Sequence, residues 1–413
     1  MNVHPELGFF DEGLDLVEPK LYAAAKRPFG RAQILPPAAY RSKIFADLED
    51  EKIWTRTWVC VGAQQQIPNA GDLLPFTLGH HGIHVERQTN GRLIARFNKA
   101  QHGGCRAIPA QCQTGIKTKC SFTSCGYSRD RDVIHAAEVG EGSRLAGQYL
   151  GDRPERLLPV QVDTWGPFIF VNLDSDCEPL AKQNKALAKQ MAPYFNADMK
   201  MMSELRSEID CNWKLAGRAY LEDSALPFVV GDQTKPIART AKAARPDLPS
   251  HSEHLCDLAG DYGATYSSFP MFPGLSKNQQ GRAQFIWLFP NLLLALMPDH
   301  MLSLILQPTA TAMTLQRMSL FAHQSANAKA VTADLAELNR HWREALIGSA
   351  AEAESRQQEI DDWGSPLRPD TMAKRLPKED SAFGYDFQRF LVDRILTEHE
   401  YYWAGPLYSQ PGR

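Results

Sequence analysis

The chain lacks any apolar run long enough to cross a bilayer. Its most apolar stretch, FIWLFPNLLLALM from Phe285 to Met297, is interrupted by Pro290 and Asn291, and a spanning helix needs about 20 apolar residues. It also lacks a basic run. With 45 Lys and Arg against 48 Asp and Glu the net charge is −3, which speaks against a nucleic-acid or anionic-membrane surface. Internal repeats and low-complexity segments are missing too. The opening MNVHPELGFFDEGLDLVEPK is acidic and has no apolar centre, so no signal peptide is expected. Together these absences predict a cytoplasmic protein with neither nucleic acid nor membrane among its partners. Thiols stay reduced in that compartment, which disfavours a disulfide knot.

What is present is a globular composition, 43% apolar and 23% charged over 413 residues, enough for two to three domains. Residues 1–45 read as an arm, rich in turns and carrying Pro19, Pro28, Pro36 and Pro37. The segment around Ile44, Leu48, Ile53 and Trp54 has helical apolar spacing. From Trp58 to Leu173 the pattern changes to short strands, with a hairpin signal at Asn90-Gly91. A helical segment from Cys177 then leads to a second region. There a strand runs into a helix from about Trp213, residues 232–280 read as loops, and residues 282–323 read as an antiparallel meander with turns at Pro290-Asn291, Pro298-Asp299 and Pro308-Thr309. Two helical stretches close the chain. The expected organisation is an arm (1–45), an all-β domain (46–175) and an α+β domain (176–413).

Four of the eight cysteines, Cys105, Cys112, Cys120 and Cys125, crowd into one window together with His102. A Cys₃His set from His102, Cys105, Cys120 and Cys125, with Cys112 in reserve, suits tetrahedral Zn²⁺. A non-standard iron–sulfur cluster and a set of packed, unmetallated thiols remain open beside it. The His80, His81 and His84 cluster is read as exposed surface at a strand turn. Trp213, Phe285, Trp287 and Phe289 are expected in the core or lining a cavity.

The fragments KIWTRTWVCVG, CNWKLAGRAYLED and LFPNLLLALMPDHM, in this order, resemble the α subunits of Rieske-type non-haem iron oxygenases. Within that family the chain is most similar to the branch acting on quaternary ammonium compounds such as glycine betaine. The resemblance runs from about Leu35 to Leu396. It implies a Rieske-like all-β domain followed by a helix-grip domain. It further implies a [2Fe–2S] cluster held by Cys-x-His and Cys-x-x-His, and an Fe(II) held by two histidines and a carboxylate. Electrons would pass between neighbouring subunits of a ring-shaped trimer.

Carried over position by position, the implied ligands are replaced. The first cluster loop corresponds to Asn98–Gly104, where His102 is kept and the cysteine position is Ala100. The second corresponds to Phe122–Tyr127, where Phe122 stands for cysteine and Cys125 for histidine. On the helix after Asn212-Trp213-Lys214 the carboxylate is Glu222, which the family aims across a subunit interface, and the two histidine positions are Ala225 and Val230. The third ligand position is placed near Glu354, with Asp361 and Asp362 as rivals. No Cys-x-His or Cys-x-x-His occurs anywhere in the chain. The expectation is therefore a protein without [2Fe–2S] or Fe(II) in their usual sites, and with a structural zinc at the cysteines. It would be a non-catalytic subunit of a homo- or hetero-trimer or hexamer, assembled with an active paralogue. An oxygenase with unconventional ligands, and a module holding a small organic ligand in the emptied helix-grip cavity, stand as alternatives.

Overall fold

The computed structural model describes residues 8–98, 133–139, 149–151, 153–196, 198–222, 226, 229–230, 249–260, 262, 269–323, 328–363, 376–379 and 381–404. The cysteine-rich window, with Ala100, His102, Cys105, Cys112, Cys120, Phe122 and Cys125, lies outside the described residues, as does Ala225.

The arm forms a short hairpin, β1 (Phe10–Asp11) and β2 (Leu14–Asp15). It leads to α1 (Ala38–Arg41), α2 (Lys43–Glu49) and a π-helical turn at Asp50–Trp54. Ser42 starts α2 by accepting a hydrogen bond from the Phe45 amide at 3.1 Å, which satisfies one of the free N–H groups of a helix start. The arm is tied to the far end of the chain. Gln33 Nε2 donates to the Leu376 carbonyl at 2.7 Å, and Gln388 Nε2 donates to the carbonyls of Ala25 and Gln33.

A six-stranded antiparallel sheet follows, built from β3 (Val59–Ala63), β4 (Leu73–Leu78), β5 (His81–Arg87), β6 (Leu93–Phe97), β7 (Pro159–Trp165) and β8 (Phe168–Asn172) in the order β3-β8-β7-β6-β5-β4. The β5–β6 hairpin turns at Asn90-Gly91 as its sequence requires, with Gly91 at φ +80°. Val59, Phe168, Ile169 and Val171 are buried. The all-β reading of this region is borne out by every described strand.

Two short helices, α3 (Leu180–Gln183) and α4 (Ala188–Met191), connect to a seven-stranded antiparallel sheet. Its strands are β9 (Met199–Ile209), β10 (Val229–Val230), β11 (His251–Leu258), β12 (Arg282–Leu288), β13 (Leu292–Leu296), β14 (His300–Ala310) and β15 (Met313–His323). They lie in the order β10-β11-β12-β13-β14-β15-β9. Its helices are α5 (Trp213–Glu222), α6 (Ala328–Asp361) and α7 (Ala382–Ala404).

Two sequence expectations fail here. Residues 251–258, read as loop, form β11, because pairing with β12 on one side and β10 on the other supplies its hydrogen bonds. Pro308-Thr309 is not a turn. Both residues lie within β14, where a register shift between Pro308 and Ala310 accommodates a proline that has no N–H to donate. The chain reverses at residues 311–312 instead.

The two sheets share one apolar core. Asn291, in the β12–β13 turn, accepts from the Cys60 amide at 3.0 Å and donates to the Cys60 carbonyl at 2.8 Å, completing the β3 backbone across the junction. Gln65 does the same for β9 through Met199 and Met201.

Candidate functional site

The helix α5 explains why asparagine, tryptophan and lysine follow one another at 212–214. Asn212 Oδ1 accepts from the Lys214 amide at 3.1 Å and so caps the helix. Its Nδ2 donates to the carbonyls of Tyr40 (3.2 Å) and Thr311 (2.7 Å), pinning the cap between the arm and the β14–β15 turn. Trp213 Nε1 and Lys214 Nζ then take one oxygen each of Glu49, at 3.1 and 2.6 Å. The Lys214 and Glu49 side chains are 2% and 3% exposed. Burial pushes the Glu49 carboxyl up and the Lys214 ammonium down, each opposed by the attraction of the other. The Lys214 ammonium also stands 5.2–5.7 Å from the ring centres of Trp213, Phe45 and Tyr40.

One turn further, a Cβ at Gly217 would come 2.4 Å from the Trp287 ring, so only glycine lets α5 lie this close to β12. Trp287 stacks on Phe387 of α7 with ring centres 4.2 Å apart and an interplanar angle of 10°, a favourable arrangement of two buried rings. Phe285 and Phe289 are buried on the same strand and its exit. The expectation that Trp213, Phe285, Trp287 and Phe289 build the interior holds. Arg218, the next residue, pairs with Glu379 just before α7 at 3.3 Å, with both side chains under a tenth exposed. The helix ends at Glu222.

Glu222 is the last residue of α5, ten residues and about 15 Å of α-helix from the start that Asn212 caps. Val230 lies in β10 opposite Asp257 of β11, and a valine offers no donor atom. The structure does not bring Glu354 to Glu222. Glu354 accepts a hydrogen bond from the Asp210 amide at 3.0 Å, which is the opposite end of α5. Asp361 and Asp362 accept from Gln357 and Gln358 one turn earlier on α6. Among the described residues, the Glu379 carboxylate reaches Arg218 in the later half of α5, a pairing the sequence reading did not single out. Its only sequence signal is its place before the final amphipathic helix. Among the described residues, no group of three or more His, Cys, Asp and Glu side chains is arranged to hold a metal ion.

The histidine cluster divides. His80 is exposed at the β4–β5 turn and His81, the first residue of β5, is half-buried, with side chains 43% and 40% accessible. His84, expected at the surface with them, is fully buried because it faces inward from β5. Its Nδ1 lies 2.9 Å from Asn98 Oδ1, and burial lowers its pKa to about 4.

Against known proteins, residues 196–358 match the family of the ring hydroxylating alpha subunit, catalytic domain. The chain is 27% identical over 195 residues to the biphenyl 2,3-dioxygenase alpha subunit of Rhodococcus jostii (strain RHA1), covering 46% of this chain and 41% of that protein. It is 27% identical over 199 residues to the chloroplastic choline monooxygenase of Beta vulgaris, covering 46% and 43%. To the glycine betaine monooxygenase oxygenase subunit of Pseudomonas aeruginosa (strain UCBPP-PA14) it is 25% identical over 182 residues, covering 44% and 41%. The alignments thus span less than half the length of these relatives. Among solved structures, a quaternary ammonium Rieske monooxygenase studied for carnitine oxidation superposes with a TM-score of 0.57 at 15% identity, over 88% of this chain and 95% of that one. Naphthalene 1,2-dioxygenase from a Rhodococcus species, bound to indole, gives 0.57 at 14% identity over the same shares. The fold is that of Rieske oxygenase α subunits, as the sequence fragments implied.

Proposed function

We propose that this chain, whose residues 196–358 match the ring hydroxylating alpha subunit catalytic domain, is a non-catalytic partner or scaffold subunit of a Rieske oxygenase complex. One observation carries the reading: the sequence holds no Cys-x-His and no Cys-x-x-His, and it has Ala225 and Val230 where the family resemblance calls for iron-binding histidines. Alanine, valine and phenylalanine have no lone pair to offer, so these donor sets do not fit a [2Fe–2S] cluster or an Fe(II) centre in the usual places. The ion pair of Arg218 with Glu379 and the Trp287–Phe387 stack support the same reading. The ion pair joins α5 to the segment before α7 and the stack joins β12 to α7, so these buried groups hold each other. In the cysteine window, His102, Cys105, Cys120 and Cys125, or Cys112 in place of one of them, would hold a structural Zn²⁺ that fixes the two loops.

The test is purification of the full chain alone and after co-expression with an active Rieske oxygenase α subunit from the same source. The expected result is a colourless protein with little iron that co-elutes with the active subunit in a trimer or hexamer. A red-brown protein with the visible absorbance of a Rieske cluster, or one that turns over substrate by itself, overturns the proposal.

A further inference from the structure

A groove of about 590 Å³ runs between the edge strand β9 and the middle of α6. It lies at the opposite edge of the sheet from β10, which carries Val230. Its volume is within the size range of small-molecule sites. Leu205 of β9 and Met318 of β15 line one side, and Leu346, Ile347, Ala350 and Ala351 of α6 line the other. Met318 and Leu346 are buried, so the floor is apolar. Ile347 is 62% exposed, the most exposed large apolar side chain among the described residues. The mouth of the groove is therefore apolar as well, and open to solvent.

Four charged residues also line it, and they differ in how they are held. Glu354 accepts from the Asp210 amide at 3.0 Å. Arg206 and Glu208 have interactions of their own. Arg343 is exposed and makes no hydrogen bond or ion pair among the described residues. On the same helix Arg340 pairs with Glu337 and Glu344, and Arg356 pairs with Glu352. The difference lies in the sequence. Residues three and four apart on a helix are neighbours, and around Arg343 these are Asn339, Arg340, Leu346 and Ile347, none of them acidic. Glu354 stands eleven residues further on, about 16 Å along the helix and beyond the screening length of about 8 Å at physiological salt. The local environment of the Arg343 guanidinium is thus one more cation and two apolar side chains.

We propose that this groove binds a small organic carboxylate with an apolar body, a medium-chain alkanoate, its head on the exposed Arg343 guanidinium and its chain along Ile347, Leu346 and Leu205. A guanidinium offers two parallel N–H bonds that match the two oxygens of a carboxylate. An alkylammonium of the same length would meet Arg343 and Arg340 as like charges. A neutral alcohol would fill the apolar part and leave the guanidinium without a counter-charge.

Isothermal titration of the full chain tests this, with sodium octanoate, octylammonium chloride and 1-octanol as separate titrants. Octanoate should bind one to a chain, at least about ten-fold more tightly than octylammonium or octanol. Arg343→Gln should weaken octanoate about ten-fold, the effect of losing a hydrogen bond to a charged group. Ala351 is exposed, so Ala351→Trp fills the groove from its open side and leaves Arg343 in place. It should abolish octanoate binding while the melting temperature of the free protein stays as in the parent. Equal binding of octanol or octylammonium, or an unchanged affinity in either variant, overturns the proposal. So does uptake of several octanoates per chain without saturation, which would be detergent-like adsorption. A free dimer that Ile347→Asp dissociates would assign this face to a second copy of the chain and overturn it as well.

Discussion

Replacing Lys214 by methionine, close in length and uncharged, should destabilise the protein by about 3–5 kcal/mol at pH 7, the cost of leaving one partner of a buried ion pair alone. The size follows from the site. Glu49 is 3% exposed and loses its 2.6 Å partner, while the single bond from Trp213 Nε1 remains. The loss corresponds to a fall in melting temperature of roughly 6–20 °C for a domain of this size. It should also depend on pH with a defined sign. Burial already pushes the Glu49 carboxyl up, and Lys214 is the main group opposing that. Without the lysine the folded pKa rises further above the unfolded value of about 4.3, so the folded state binds the extra proton. Stability of the variant is then greatest below that unfolded value and declines as pH rises through the folded one. Measured by differential scanning calorimetry, the gap to the parent should narrow from pH 8 to pH 5. Adding Glu49→Gln should recover most of it, since a neutral pair of similar shape leaves no buried charge. A single variant that loses less than about 1 kcal/mol, or a gap that does not change with pH, would refute the account of how α5 is anchored.

Four further outcomes follow from other parts of the molecule. Gly217→Ala should cost about 1–3 kcal/mol by driving a methyl into Trp287, and near-ultraviolet circular dichroism should show the disturbed ring stack. His84, with a folded pKa of about 4 against about 6.5 unfolded, should stay neutral in NMR titration above pH 5. Because the unfolded chain takes that proton first, stability contributed by burying neutral His84 is full above about pH 6.5 and is lost as pH falls through about 4, on the order of 3 kcal/mol. If the cysteine window holds zinc, Cys120→Ser should lower the first melting transition and a strong chelator should do the same to the parent, whereas an unchanged melt with no zinc by elemental analysis removes that part of the proposal. Ala225→His combined with Val230→His should raise Fe(II) affinity measured by competition with a colorimetric chelator; no gain would show that more than the missing donors separates this pocket from an iron site.

Local signals in the sequence determined much of this protein. Alternating apolar residues with Asn90-Gly91 specified the β5–β6 hairpin, and continuous apolar runs specified β12, β13 and β14, because strand periodicity and turn chemistry act over a few residues. The absence of Cys-x-His is a property of the sequence alone. What tertiary structure decided are the pairings between distant segments. Asn212, Trp213 and Lys214 were legible as a helix start, but nothing near them announces that Glu49 receives both donors. Pro308 looked like a turn until β15 and a register shift made room for it in a strand, and residues 251–258 looked like a loop until β10 and β12 satisfied their backbone. Glu354 on α6 accepts from the Asp210 amide and Glu379 before α7 pairs with Arg218, and neither partner is announced by its own segment. These pairings are made by which helix face packs where, and that depends on the whole core rather than on either segment.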